Sequence, residues 1–83
     1  MKNQFLLSLT VEKVESVVSI CKEIKSKFDV DVDVKHGRNN VDGCSVLGVY
    51  SLVNHIVTVC PLTDDDDVLK NIYDMFLPLD AFN

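Results

Sequence analysis

Basic charge is what this chain has least of. Eight lysines and arginines stand against thirteen aspartates and glutamates, for a formal net charge of −5 and an isoelectric point near 4.7. No basic stripe runs along any segment, and the aromatic residues, 7% of the chain, form no stacking platform. Nucleic acid is therefore not an expected partner, because phosphate neutralisation dominates such binding. Long apolar runs are also missing, so no membrane helix is expected. The start, MKNQFLLSLTVEKVES, has too short an apolar stretch for a signal peptide and leads straight into charges. A cytoplasmic location is the expectation. Cys21, Cys44 and Cys60 are odd in number and far apart, with no CxxC pair. That argues against a disulfide scaffold or a zinc site, so no metal is expected, and it leaves three reduced thiols, mostly buried. Nothing calls for a cofactor, and no enzymatic activity is expected.

What is present is apolar: 47% of the 83 residues, enough for one small domain over residues 1–83. NQFLLSLT, residues 3–10, alternates like a strand through Phe5, Leu7 and Leu9. Val14, Val17, Val18, Cys21, Ile24 and Phe28 then follow helical spacing, with Thr10 as the expected N-cap. FDVDVDVK, residues 28–35, alternates strictly and predicts a strand whose aspartates Asp29, Asp31 and Asp33 line a solvated face. Gly37, Asn39 and Asn40 predict a hairpin. A short helix is expected at about 44–52, then a strand at 55–61. A last helix, capped by Thr63 with Asp66 completing a capping box, ends at Leu77-Pro78. Val68, Leu69, Ile72, Met75 and Phe76 form its apolar face. The order β-α-β-β-α-β-α predicts an α+β fold with helices on one face of a single sheet. Ferredoxin-like regulatory domains share a βαββαβ order, but lack the serine-glycine pattern of the short helix described next.

Residues 26–52 carry a more particular pattern. SKFDVDVDV, the Gly/Asn hairpin, Val41 and SVLGVYSL follow one another as they do in the HPr phosphocarrier family of the bacterial sugar phosphotransferase system, which the chain resembles. TDDDDVLKNIYDMF resembles that family's acidic last helix, and the VNH loop is about three residues short of the usual one. The resemblance implies an open-faced β-sandwich, a four-stranded antiparallel sheet covered on one face by three helices. It also implies that the short helix displays an apolar patch that docks partners, at Val46, Leu47 and Tyr50. The family's regulatory serine, phosphorylated by an ATP-dependent HPr kinase in carbon catabolite repression, matches Ser45. Phosphotransferase-system proteins and transcriptional regulators are the further partners implied.

The family's signature, G-(I/L/F)-H-A-R-P, is replaced. Its window reads EKVESV here, so the histidine position is Val14, the arginine position Ser16, the proline position Val17 and the leading glycine Glu12. Valine has no lone pair to attack phosphorus, and Glu12 and Glu15 bring negative charge where a phosphoryl group would sit. Histidine phosphotransfer is not expected at this helix. A regulatory or adaptor protein is, similar in logic to the paralogue known as catabolite repression HPr, which lacks the histidine and keeps the serine.

Other readings remain beside this one. Ser45 is a favoured N-cap with or without a kinase. Asp42 opposes a phosphate there, and Cys44 stands where the family often has a basic residue. His36, at the hairpin, and His55, at the fourth strand, are expected as solvent-facing polar residues. A phosphocarrier using one of them instead is the alternative, as is an orphan interaction domain without either phosphosite. The apolar patch equally suits a homodimer. Asp64 to Asp67 lack the alternation and glycine of an EF-hand loop and read as a helix start.

Overall fold

The computed structural model describes residues 3–83. Strand β1 (Phe5–Leu9) leads through a 3₁₀ turn (Val11–Lys13) into α1 (Val14–Phe28). Strands β2 (Val32–His36) and β3 (Asn39–Asp42) form a hairpin, followed by the short α2 (Val46–Tyr50). Strand β4 (His55–Pro61), α3 (Asp66–Phe76) and a second 3₁₀ turn (Leu77–Leu79) complete the order. The sheet runs β1-β4-β2-β3 with every pair antiparallel. The fold is α+β, with an open four-stranded sheet and three α-helices. No helix among the described residues is long and apolar enough to cross a membrane.

Period-two alternation decides which sheet face is covered. Phe5, Leu7 and Leu9 of β1, Val32 and Val34 of β2, and Val57 and Val59 of β4 are buried. They meet Val14, Val17, Val18, Cys21 and Ile24 of α1, Val49 of α2, and Ile72 and Phe76 of α3 in one continuous core. Full burial of each such side chain contributes about 1.5–3 kcal/mol. Phe5 anchors α3 to the sheet, its ring 5.1 Å from Tyr73 in a T-shaped contact and 5.3 Å from Phe76. On the other face Ser8, Lys35 and Ile56 meet solvent.

Three boundaries differ from the expectation. The alternating run does not start a strand at Phe28. Phe28 closes α1, and Asp29 takes the left-handed conformation (φ 54°) as its C-cap, one an aspartate tolerates. Lys25 Nζ binds Asp29 at 3.1 Å and Asp31 at 3.2 Å, which raises the Lys25 pKa, Asp29 contributing most. Only Asp33 of the three aspartates lies within β2. At the other helix starts, Thr10 precedes the 3₁₀ turn without a side-chain capping bond. Asp65, not Thr63, caps α3: its Oδ1 accepts from the amides of Asp67 (3.0 Å) and Val68 (3.2 Å). Thr63 acts one step earlier, its Oγ1 accepting from the Asp65 amide, and Asp66 is the first residue of the helix. Aspartate two residues closer to the apolar stripe wins because its carboxylate is the stronger acceptor at the positive helix end.

α3 ends at Phe76, with Leu77 as its C-cap, where Leu77-Pro78 was expected to stop it. After the 3₁₀ turn, Asp80 reverses direction at φ 64°. Phe82 then pairs with Leu6 through both backbone bonds, 2.7 and 2.9 Å, on the free edge of β1.

Candidate docking site on the short helix

The approach to α2 is held by backbone proximity. The Gly43 amide donates to Val32 O at 2.8 Å, which presses Gly43 against α1. A Cβ there would lie 2.5 Å from Cys21 Sγ and 2.9 Å from Val32 O, so only glycine fits. Asp42 shapes the next step as an Asx turn, Oδ1 accepting from the Cys44 amide at 2.9 Å. Ser45 then caps α2 with extended backbone, its Oγ accepting from the Gly48 amide at 3.1 Å. Ser51 Oγ closes the far end by donating to Gly48 O.

A five-residue helix has too little circumference to bury all its apolar side chains. Val49 is wholly buried and Leu52, just beyond, is 1% exposed. Leu47 is 84% exposed, Tyr50 52% and Val46 50%. The three patch positions implied by the resemblance are therefore on the surface together, headed by the exposed Ser45.

The start of α1 is arranged differently. Val14, which the resemblance sets at the family's histidine position, is buried in the core, and Val17 beside it has no exposed surface. Glu12 carries a carboxyl held below its ordinary range, first by a hydrogen bond with the Thr10 side chain and then by its own amide. The helix end that would attract an anion is thus next to a carboxylate of the chain itself. Lys13, the only cation in the window Glu12–Val17, donates to Ser8 O at 2.9 Å. Ser16, which the resemblance sets at the family's arginine position, is exposed and borders a shallow groove with Met75 and Pro78. Nothing in this group offers a neutral nucleophile to phosphorus.

His36 and His55 are not simply two polar residues facing water. His36 is half-buried and His55 exposed. Their rings stack, centroids 4.0 Å apart and planes 19° from parallel. They stand nineteen positions apart in the chain and are brought together by the pairing of β2 with β4, so no local pattern signals the pair. The three cysteines are free, Cys21 and Cys60 buried and Cys44 half-buried. Burial pushes the Cys21 thiol up to about 12, with lesser contributions from Cys44 and Asp42.

Compared with known protein families, with curated proteins and with solved structures, the chain matches none.

Proposed function

We propose that this chain is an HPr-like regulatory or adaptor protein that binds other proteins through α2, with Ser45 as its switchable residue, and that it transfers no phosphate through α1. One observation carries the reading. A serine caps a helix whose Val46, Leu47 and Tyr50 are all on the surface, while the helix that would hold a phosphorylated histidine starts with a buried valine beside a carboxylate. An exposed apolar cluster of this kind marks an interaction surface. A phosphoryl group on Ser45 would add charge beside that cluster, at a helix start where an anion is favoured. The order β-α-β-β-α-β-α and the open sheet suit the same reading, and so does the pattern of residues 26–52.

A second reading rests on the 3.1 Å bond from the Gly48 amide to Ser45 Oγ. That bond gives the serine a structural task that needs no kinase, and Asp42 is already placed at the turn before it. The chain would then be an interaction domain without a switch.

Intact mass after incubation with HPr kinase and ATP separates the two, with Ser45→Ala as control and an authentic HPr phosphorylated in parallel. One added phosphate, lost in the variant, supports the switch. No phosphate on this chain overturns it and leaves the α2 surface as the functional element. Incubation with phosphoenolpyruvate and enzyme I tests the transfer claim: acid-labile phosphate on the chain would refute it.

A further inference from the structure

We propose that His36 and His55 form an open, two-imidazole site for a borderline divalent cation such as zinc(II). Lys35 of β2 pairs with Thr58 of β4. One step further along that register His36 stands opposite Val57, and His55 is its diagonal neighbour on the same face. Diagonal neighbours across an antiparallel pair are about 7–8 Å apart at Cα, within reach of ring side chains. Both histidines continue the inward-facing rows, after Val32 and Val34 on one strand and before Val57 and Val59 on the other. They occupy the rim, where those rows run out of core and meet water.

These are the only two imidazoles in the chain, and the fold places them 4.0 Å apart. Imidazole is the side chain that binds zinc, nickel and copper at neutral pH. With Zn–N bonds of about 2.0–2.1 Å, two nitrogens on one tetrahedral ion stand roughly 3.3 Å apart. The ring centroids, 4.0 Å apart in the stack, are within about 1 Å of that nitrogen spacing. What remains is rotation of each ring about its Cβ–Cγ bond, so that the two lone pairs converge at the exposed edge. Among the described residues no group of three or more histidine, cysteine or acidic side chains could hold a metal. The other positions on the ion therefore belong to water or to a donor from outside the chain, which makes the site open and exchangeable.

The test is titration of the full chain with zinc chloride, followed by the imidazole NMR resonances. His36→Phe and His55→Phe keep a flat ring in the stack and remove the nitrogens. The expected result is one zinc per chain, both histidines shifting together. Each variant should weaken binding by at least about tenfold, and zinc should raise the Tm of the wild type but not of the variants. Since His55 is exposed, His55→Phe alone decides the matter if His36→Phe does not fold. Absence of saturable shifts overturns the proposal. So does binding that survives in a folded phenylalanine variant, or binding that is lost in Cys44→Ser, which would assign the ion to the thiol.

Discussion

Gly43→Ala tests the claim that the approach to α2 is pinned against α1. The new methyl would sit 2.5 Å from Cys21 Sγ and 2.9 Å from Val32 O, with Cys21 Cβ at 3.2 Å. Carbon atoms pack best at about 3.5–4.0 Å, so the sulfur contact alone is short by roughly 1 Å. The sulfur has little room to turn away, since Cys21 is 1% exposed. The carbonyl is fixed by the bond it accepts from Gly43 itself. Overpacking of this kind costs about 1–3 kcal/mol, and two obstructions place it toward the upper end. For a domain of this size that corresponds to a fall in Tm of roughly 10–20 °C. Cys21→Ala removes one obstruction at a cost of about 1 kcal/mol for the lost packing. The double variant Cys21→Ala/Gly43→Ala should then be more stable than the sum of the singles, by about 0.5–3 kcal/mol. Thermal and urea unfolding of the four proteins measures the cycle. A Gly43→Ala protein with wild-type Tm, or a cycle that closes additively, would refute the close approach and the pinning of Ser45 that follows from it.

Three further outcomes follow from the same structure. Asp65→Ala should destabilise by about 1 kcal/mol, because two amides lose their acceptor, whereas Thr63→Ala should cost less; urea unfolding compares them. Leu47→Ser should leave stability within about 0.5 kcal/mol, since the side chain is mostly in water, yet should abolish pull-down of any partner that docks on α2. Cys21 gives a pH effect of definite sign. The unfolded thiol loses its proton near 9, while the folded one keeps it to about 12. Between those values the unfolded state binds fewer protons, so stability falls as pH rises from about 9 toward 12 and is unaffected by this group below. Denaturation midpoints across that range should fall less steeply in Cys21→Ala.

Most of the framework was legible because burial repeats at simple intervals. Val14, Val17, Val18, Cys21 and Ile24 announce one face of α1, and Phe5, Leu7 and Leu9 the inner face of β1. The exposed positions of α2, Val46, Leu47 and Tyr50, are the ones that the resemblance implied. Boundaries were harder. FDVDVDVK alternates perfectly, but Lys25 draws Asp29 and Asp31 back to the helix end, and a three-centre ion pair of this kind is invisible to periodicity. Four successive aspartates after a threonine leave the capping position undecided until geometry selects Asp65. The His36–His55 stack and the Leu6–Phe82 bridge depend on pairing between distant segments, which one sequence does not encode locally.

The position of β4 has a consequence for how the chain acquires its shape. It lies between β1 and β2 and is the last of the four strands to be synthesised. Until residues 55–61 have emerged from the ribosome, the hairpin of β2 and β3 is the only sheet pairing available, and β1 has no neighbour. Adding this one strand joins the two halves through nine register pairs. Assembly of the sheet is therefore a late, non-local event, and truncation between Asp42 and His55 leaves the β2–β3 hairpin as the only paired strands and β1 without its neighbour.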